Sequence, residues 1–363
     1  MIYIICDLGF GDSGKGTIVD YLLSKVARRD NRTLVIRYCG GYQAAHHTVH
    51  NGIRYRYSQI GSGSLNYPNV DTYIGPRFIV SPEHLRREAQ RNMNHRESGH
   101  TFIDSHALVA THYARHLNKS SYHKNDSIAT CGAGIGATRE YWLKYGQDAL
   151  YIKDIAGPLL HEKLELMRQR ICPTYNDPAL NEQIDYHIGF GVVGMPVLQN
   201  YDNIIFEGSQ GVLLDENYGV GAPDHVTWST TTMLHAYQLM DIYNFPEQEV
   251  RKIGVLRSYH TRHGSGPFQE NEELTTRLAP LEVDNQNDGP QGRFRFGKLQ
   301  PNLIEYALNV PNTDVDEIAV TCLDQLTEEE AKESLKTISD FKPVKIESWG
   351  AEACHKKDSA TLV

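Results

Sequence analysis

Short runs of apolar residues recur along the chain, and each is followed by a glycine-bearing turn or a helical pattern. Between them, residues 17–28 place Ile18, Leu22 and Val26 at four-residue spacing, and residues 233–243 carry a similar apolar face. Because strands and helices alternate, the sequence predicts an α/β fold with a mostly parallel central sheet covered by helices. The runs that predict buried strands are residues 2–6, 34–38, 72–74, 101–103, 203–207, 253–256, 318–323 and 344–346.

The chain of 363 residues is predicted to form one large α/β domain over residues 1–363. Residues from about 81 to 199 are richer in helical and charged pattern, which predicts a mostly helical insertion in the sheet. Residues 270–296 are polar and include Gly289, Pro290 and Gly292, so they predict a mobile loop.

Charge limits the classes of partner. The formal net charge is −9, from 45 acidic and 36 basic residues, and no long basic run offsets it. Nucleic-acid binding is therefore disfavoured, because neutralising phosphates requires clustered Lys and Arg. The first residues contain neither a basic leader nor an apolar run that could cross a membrane, so we expect a cytoplasmic protein without a membrane anchor.

A glycine-rich segment follows the first predicted strand. Residues 9–16 read GFGDSGKG, which matches G-x-x-x-x-G-K but has Gly16 where a Ser or Thr normally holds magnesium. Backbone N–H groups, a helix start and Lys15 all favour anionic oxygens. Asp12 offers the hard oxygen that magnesium prefers, or it acts as a base. The residues predicted to hold nucleotide phosphates are Gly11, Ser13, Gly14, Lys15 and Gly16.

Several separate blocks, spread from residue 2 to about residue 326, resemble the adenylosuccinate synthetase family. The blocks are GFGDSGKG at 9–16, GGYQAAH at 40–46, FEGSQG at 206–211 with LLD at 213–215, TR at 261–262 with GSGPF at 264–268, and GR at 292–293. The resemblance implies a ligase that transfers the γ-phosphoryl group of a nucleoside triphosphate to the 6-oxygen of a purine monophosphate. The amine of L-aspartate then displaces the phosphate. The resemblance also implies Mg²⁺ and a homodimer.

The resemblance assigns roles to the catalytic residues. Asp12 matches the catalytic base, and His46 matches the general acid that stabilises charge on the transferring group. Gln210 resembles the residue that holds the purine ring and its 6-oxygen, while Asp12 and Ala45 are implied to hold the metal. A carboxylate and an imidazole suit this reaction because proton removal and charge stabilisation are separate needs.

The remaining contacts are also implied by the resemblance. Lys144 is the candidate for a basic residue that reaches the neighbouring subunit's substrate phosphate. Taken singly, residues such as Thr130 and Thr227 are more often capping or surface groups, and solvated surface charge is the competing explanation for the arginines. The implied nucleotide and phosphate contacts are Gly41, Gln43, Thr130, Cys131, Lys144, Thr227, Asp324, Ser348 and Gly350, and the implied aspartate and ribose contacts are Gln291, Gly292, Arg293 and Arg295.

Departures from the family pattern bear on the acceptor. Ser13 stands where the cellular enzymes carry a glutamate, and the smaller side chain would leave room for an exocyclic 2-amino group. The resemblance therefore narrows to the viral branch of the family, which takes dGMP on the route to 2,6-diaminopurine DNA. A viral enzyme would lie in the host cytoplasm. IMP is the alternative acceptor. Other replacements are Gln43 for asparagine, Cys131 and Ala133 for threonine and arginine, and Pro290 with Gln291 for two threonines.

The donor nucleotide is less defined by the sequence. The family contacts the guanine of GTP through a T-K-L-D segment, and here residues 321–324 read TCLD, so Asp324 remains while Cys322 replaces the lysine. Residues 348–351 resemble a second guanine-contacting segment without its proline. We therefore expect a pocket that admits ATP or dATP as well as GTP. A P-loop switch protein is the alternative from another class, but it would need neither His46 nor the arginine loop, residues 289–295. A small-molecule kinase is a third, weaker option, because it would leave the arginine loop without a ligand.

Overall fold

The computed structural model describes residues 1–91, 99–122, 130–175, 186, 188, 191–246, 248–285 and 291–359. None of the helices in these ranges combines the length and apolar character needed to cross a bilayer. The helices are α1 (Lys15–Val26), α2 (Pro82–Arg91), α3 (His112–Tyr122), α4 (Ile135–Tyr145), α5 (Leu159–Ile171), α6 (Leu234–Ile242), α7 (Glu272–Leu278), α8 (Pro301–Asn309) and α9 (Glu328–Ser339).

The strands fall into one large sheet and three small ones. They are β1 (Ile2–Asp7), β2 (Thr33–Arg37), β3 (Gly40–Gly41), β4 (His46–His50), β5 (Ile53–Tyr57), β6 (Val70–Ile74), β7 (Phe78–Val80), β8 (Thr101–Ile103), β9 (Leu108–Val109), β10 (Val192–Val193), β11 (Asn203–Glu207), β12 (Val250–Arg257), β13 (His260–His263), β14 (Phe294–Gly297), β15 (Glu317–Thr321), β16 (Val344–Ser348) and β17 (Lys356–Asp358).

The central sheet has ten strands in the order β10-β8-β6-β2-β11-β1-β12-β15-β16-β17. Every neighbouring pair is parallel except β16 with β17, so the predicted fold class is confirmed. All the predicted apolar runs lie in strands of this sheet, and the two predicted helices are α1 and α6. The run at 318–323 is too long, because β15 ends at Thr321 and a 3₁₀ turn begins at Leu323.

Alternation along β1 explains how both faces of the sheet are covered. Ile2, Ile4 and Cys6 belong to one core cluster, together with buried residues of α6, α8 and α9. Tyr3 and Ile5 point to the opposite face, where they share a cluster with apolar residues of α1. This period of two is the ordinary consequence of a pleated strand, and it places helices on both faces.

A second core lies between residues 42 and 188 and contains buried side chains of α2 to α5 together with Ile74 and Ile103 of the central sheet. The stretch predicted as a helical insertion therefore holds four helices in its described part. It also contains β8 and β10, which extend the central sheet at one edge. The division of the chain into a domain and an insertion remains a prediction.

The predicted loop at 270–296 is wrong at both ends, and residues 294–296 belong to β14. Residues Glu272–Leu278 form α7, and the side chain of Asn271 accepts a hydrogen bond from the Leu274 N–H at its start. A capping asparagine before two glutamates is a helix-start signal that the polar composition obscured. Gly289 and Pro290 lie outside the described residues.

Candidate active site

Five neighbouring strands each end on a polar side chain at the same edge of the central sheet. Asp7, Arg37, Glu207, Arg257 and Thr321 are the last residues of β1, β2, β11, β12 and β15. Ligands of open α/β sheets bind at the carboxyl ends of the strands, where these residues converge. None of the five was predicted as a site residue from the sequence. Their position at the ends of apolar runs was the available signal.

The phosphate loop is held in shape by its own side chains. The ammonium of Lys15 is buried and donates to Oδ2 of Asp7 at 2.7 Å and to the carbonyl of Gln210 at 2.7 Å. Oδ1 of Asp7 accepts from the Gly9 N–H at 2.8 Å. Gly14 adopts φ 85° immediately before α1, a conformation that glycine adopts without strain. The loop, the lysine and the helix start therefore lie together as the sequence predicted.

Asp12 lies at the exposed tip of this loop. Its carbonyl accepts a hydrogen bond from Nε of Arg257 at 2.6 Å, while Arg257 also contacts Glu282 at 3.2 Å. The carboxylate itself has no hydrogen-bond partner among the described residues. Although solvent reaches the residue, the protein around it desolvates the carboxylate and raises its pKa, and the charges of Arg257 and Lys15 oppose this shift.

Backbone strain concentrates at two predicted site residues and at Cys322, which lies in the predicted base-contacting segment. Asp12, Gln210 and Cys322 have φ of 55°, 59° and 60°, a region that residues other than glycine seldom adopt. In the described part of the chain, every other non-glycine residue with positive φ is an asparagine, which tolerates this conformation. Strained residues cluster at functional sites, so their coincidence with three separate predicted motifs supports a single site.

Gln210 lies directly against the phosphate loop. A Cβ on the following residue, Gly211, would lie 2.2 Å from the carbonyl oxygen of Gly9, so only glycine permits this approach. The side-chain oxygen Oε1 of Gln210 is buried and has no hydrogen-bond partner in the described ranges. Buried amide oxygens are normally paired. The Oε1 atom of Gln210 is therefore placed to accept a hydrogen bond from a ligand beside the loop.

His46 is joined to a buried carboxylate. Its Nδ1 lies 2.5 Å from Oε1 of Glu207, and Oε2 of Glu207 accepts from the Ser62 N–H at 3.0 Å. The guanidinium of Arg37 lies 3.9 Å from the same carboxylate. Burial tends to raise the pKa of Glu207, but Arg37, His46 and Ser62 outweigh burial and lower it to about 2.

The protonation of the pair follows from these contacts. Burial lowers the pKa of His46 to about 4, although the attraction of Glu207 opposes the shift. A neutral imidazole beside a charged carboxylate carries its proton on Nδ1, and this N–H donates a hydrogen bond to Glu207. Nε2 then carries the lone pair and is the ring nitrogen left for a ligand. Ala45, the predicted backbone metal ligand, directly precedes His46, the first residue of β4.

A second glycine loop precedes α4. Asn118 accepts from the Thr130 hydroxyl at 3.2 Å and from the Gly134 N–H at 2.8 Å. Gly134 adopts φ 78° immediately before the first turn of α4. Thr130 and Cys131 are thus at a helix N-terminus, which is a favourable place for a phosphate group.

The segment after β2 meets this second loop. The Tyr42 hydroxyl donates to the carbonyl of Ala133 at 2.8 Å, and a Cβ on Gly41 would lie 2.7 Å from Cδ1 of Ile135. Oε1 of Gln43 is buried and has no hydrogen-bond partner in the described ranges. The structure therefore brings Gly41 and Gln43 together with the residues before α4.

Thr227 approaches the same helix from a third segment. Its N–H donates to the carbonyl of Leu214 at 2.7 Å. The ring of the next residue, Trp228, packs on Gly136, where a Cβ would lie 2.7 Å from Cδ1 of the indole. Thr227 consequently lies next to the start of α4, as a contact for the same phosphate requires.

Lys144 is not brought to this loop within one chain. It is exposed in the last turn of α4, with its ammonium 5.2 Å from the ring centre of Tyr145. At 1.5 Å per residue, about 15 Å of helix separates it from Gly134. A role for Lys144 would have to be played in another subunit's site.

The arginine loop lies beside β13, because its last residues enter β14, which pairs with β13. The Arg293 guanidinium pairs with both oxygens of Glu270, at 2.7 and 2.6 Å. Arg295 donates to the carbonyls of Gly264 and Gly266 at 2.6 and 3.0 Å, and burial lowers its pKa. Gln291 and Gly292 precede them, and the Gly292 carbonyl lies 3.2 Å from Nε2 of His263. Arg293 must release Glu270 before it can bind a ligand carboxylate.

The predicted base-contacting segments lie at the ends of β15 and β16. Asp324 is exposed in the 3₁₀ turn that begins at Leu323. The Ser348 hydroxyl donates to the carbonyl of Gly350 at 3.2 Å. The Thr17 hydroxyl, in the first turn of α1, donates to the carbonyl of Ala351 at 3.0 Å. This last contact fixes the segment relative to the phosphate loop.

The sequence of this chain is similar to one family of known proteins over most of its length. The family model described as adenylosuccinate synthetase matches residues 4–336. The adenylosuccinate synthetase of Nostoc punctiforme is 32% identical over 349 residues, covering 90% of this chain and 74% of the relative. That of Thermoplasma volcanium is 28% identical over 348 residues, covering 89% of this chain and 75% of the relative.

Two solved structures share the fold. The fully ligated adenylosuccinate synthetase of Plasmodium falciparum superimposes with a TM-score of 0.81 at 17% identity, covering 99% of both chains. The succinoaminodeoxyadenylate synthetase (PurZ) of cyanophage S-2L, bound to dGMP and to dATP as an energy donor, superimposes with a TM-score of 0.73 at 17% identity, covering 99% of this chain and 95% of the other. The chain belongs to the adenylosuccinate synthetase family and is a ligase that forms a C–N bond.

Proposed function

We propose that this ligase joins L-aspartate to C6 of dGMP, with Mg²⁺ and a purine nucleoside triphosphate as phosphoryl donor. The proposal depends mainly on the orientation of Ser13. Its hydroxyl donates to Oδ1 of Asp7 at 2.8 Å, and the residue is only 4% exposed. The small side chain is thus buried against the end of β1.

With its hydroxyl bound to Asp7, the small side chain at position 13 is proposed to leave space beside Asp12 for the acceptor. A glutamate there, as in the cellular enzymes that the sequence resembles, would add bulk and a negative charge next to the base. An exocyclic 2-amino group needs that volume, so the acceptor that fits best is a guanine nucleotide. The cyanophage synthetase of the same fold is bound to dGMP, which supports the same choice.

Asp12 is the proposed base of the first step. Its carboxylate removes the N1 proton of the purine while the 6-oxygen attacks the γ-phosphorus of the donor, and the bond from the γ-phosphorus to the β,γ-bridging oxygen breaks. Burial raises the pKa of Asp12, which makes its carboxylate a stronger base than a fully solvated aspartate. In the second step the amine of L-aspartate attacks C6, loses a proton, and phosphate leaves with the 6-oxygen.

His46 is proposed to stabilise negative charge on the transferring group. The neutral imidazole has Nε2 available, and the negative charge of bound phosphates would raise its pKa and protonate that nitrogen. Glu207, held ionised by Arg37 and the Ser62 N–H, supports the resulting imidazolium through Nδ1. His46 is thus proposed to carry its positive charge only when phosphate is bound.

The residues present fit a magnesium ion. The Asp12 carboxylate is exposed and has no hydrogen-bond partner among the described residues, and Ala45 can contribute its backbone carbonyl. Mg²⁺ is commonly held by one or two carboxylates together with substrate phosphates. When bound, the ion would neutralise charge on the triphosphate.

The other contacts are assigned by position. The acceptor's phosphate is proposed to lie on the loop with Thr130 and Cys131 beside Thr227, and L-aspartate is proposed to be held by Arg293 and Arg295. The donor's base would lie between Asp324 and residues 348–350. We propose ATP or dATP as the donor, with GTP as the alternative, and a homodimer in which Lys144 serves the other subunit.

IMP is the second candidate acceptor, because the similar sequences from Nostoc punctiforme and Thermoplasma volcanium are adenylosuccinate synthetases. The test is to mix purified protein with Mg²⁺, L-aspartate, each triphosphate, and either dGMP or IMP. Phosphate release and the ultraviolet spectrum of the product are followed. Aspartate-dependent turnover of dGMP with little use of IMP is the expected result. Turnover of IMP alone would refute the dGMP assignment, and phosphate release without aspartate would refute ligase activity.

A further inference from the structure

Lys356 is a buried lysine whose ammonium is enclosed by backbone carbonyls. The residue is 6% exposed, and Nζ donates to the carbonyls of Gly350 at 3.1 Å, Ala351 at 3.2 Å and Glu352 at 2.9 Å. An ammonium has three N–H donors, so these contacts use all of them. Lys356 starts β17 and is the register partner of Ser348. Three successive carbonyls of one turn are therefore directed at one side chain.

Only some of the N–H groups in this turn have a protein acceptor. The Trp349 N–H donates to the carbonyl of His355 at 2.9 Å, and the Glu352 N–H contacts Nδ1 of the same histidine at 3.3 Å. Within the described ranges, the N–H groups of Gly350 and Ala351 donate to no protein acceptor. Two successive donors are thus available to a ligand, whereas all three neighbouring carbonyls are occupied.

Other contacts fix this turn near the proposed donor site. The Ala351 carbonyl also accepts from the Thr17 hydroxyl at 3.0 Å, directly after the phosphate loop. Oε1 of Glu352 accepts from the Gly52 N–H at 2.8 Å. Burial lowers the pKa of Lys356 to about 8, and the charges of Asp20 and Asp324 oppose the shift. The ammonium is therefore within electrostatic range of the carboxylate proposed to contact the donor's base.

We infer that Lys356 is a positioning residue that draws the carbonyls of residues 350–352 inward, so that the N–H groups of Gly350 and Ala351 receive an acceptor atom of the donor's purine. The inference rests on the proposed function, which places the donor's base beside this turn. A purine base offers such acceptors on its ring nitrogens or its carbonyl, whereas inorganic tripolyphosphate has no base. Lys356 therefore acts on recognition of the base and not on recognition of the phosphates.

The experiment compares Lys356→Met with Lys357→Met as the matched control. Lys357 is the next residue, and its exposed side chain pairs with Glu347 at 3.0 Å on the surface. The measurements are kcat, the KM for each triphosphate and for the purine monophosphate, and the inhibition constant of tripolyphosphate. Lys356→Met should raise the triphosphate KM by about tenfold or more, the cost of lost hydrogen bonds to the base. The other constants and the control should stay within about twofold of wild type.

An equal loss of affinity for triphosphate and tripolyphosphate would overturn the inference, as would an unchanged triphosphate KM. If Lys356→Met does not fold, Thr17→Val replaces it, since this variant removes the other donor to the Ala351 carbonyl. It must show the same selective loss for the base. If the wild-type protein ligates neither acceptor, the proposed function fails. Calorimetric binding of ATP, GTP and tripolyphosphate to the two lysine variants then still decides the role of Lys356.

Discussion

A Cβ atom built on Gly16 would lie 2.7 Å from Cβ of His46 and 2.9 Å from the Ser62 hydroxyl. The position where a phosphate loop normally carries its Ser or Thr is thus filled by the histidine segment. The missing hydroxyl is a requirement of packing, because a side chain at position 16 would displace the residue proposed to stabilise charge. Asp12 is left as the carboxylate available to magnesium.

Gly16→Ser should therefore abolish activity, even though it restores the usual phosphate-loop sequence. The added side chain would push His46 away from Glu207, and we expect a loss of kcat of about 100-fold or more together with a lower melting temperature. Gly157→Ser is the matched control, because a Cβ there meets only the Asp154 carbonyl at an ordinary 3.7 Å. Activity of Gly16→Ser close to that of wild type would contradict the proposed packing.

Asp12→Asn should abolish turnover and leave folding intact, since the carboxylate is exposed and makes no hydrogen bond to the described residues. The readout is kcat for aspartate-dependent phosphate release, with the unfolding midpoint as the check on folding. An activity within about tenfold of wild type, equivalent to a barrier change of roughly 1.4 kcal/mol, would show that Asp12 is not the base.

Ser13→Glu should shift acceptor preference from dGMP towards IMP. A glutamate cannot keep the 2.8 Å contact to Asp7, since Asp7 is a carboxylate that already binds Lys15. The side chain would therefore turn into the space proposed for the 2-amino group. The measurement is the ratio of kcat/KM for the two acceptors, and Ser13→Ala is the control for loss of the hydroxyl alone. An unchanged ratio in Ser13→Glu would remove the main support for dGMP.

Glu207→Gln should lower kcat with little effect on the KM of any substrate. A neutral amide beside Nδ1 does not stabilise the imidazolium that phosphate binding is proposed to create, and loss of such proton-transfer assistance costs about 100-fold or more. The activity of wild type should fall at high pH as the histidine loses its proton in the substrate complex. In Glu207→Gln this fall in activity should occur at a lower pH. A fall at the same pH as in wild type would assign Glu207 a structural role.

Stability should decline as the pH rises from about 4 to about 7 because of Asp20. The residue is completely buried in α1, and burial raises its pKa to about 7, with Lys356 opposing the shift. A raised folded-state pKa means that the protonated form is stabilised, so its contribution is complete below about pH 4 and is lost as the pH approaches 7. Asp20→Asn should remove this part of the pH dependence, which is on the order of a few kcal/mol. The measurement is the free energy of unfolding in urea between pH 5 and pH 8 for wild type and Asp20→Asn. The same dependence of this free energy on pH in both proteins would contradict the prediction.

The sequence alone was sufficient for the local elements and for the family resemblance. Bounded apolar runs predicted the strands of the central sheet, because burial on both faces imposes a recognisable composition on parallel strands. Glycine positions such as Gly14 predicted the phosphate loop, since left-handed backbone and close approach restrict the residue locally. The helix α7 was missed because its capping signal lies in a polar segment without a wide apolar face.

Only the tertiary structure decided which distant residues meet. Arg257 contacts the carbonyl of Asp12 although 245 residues separate them, because β12 lies next to β1 in the sheet. The pairing of His46 with Glu207 and the inward turn of Ser13 depend on strand order and packing in the same way. Local patterns do not encode strand order, which arises from the burial of the whole sheet. The sequence therefore determined the chemical groups of the site, and the fold determined their partners.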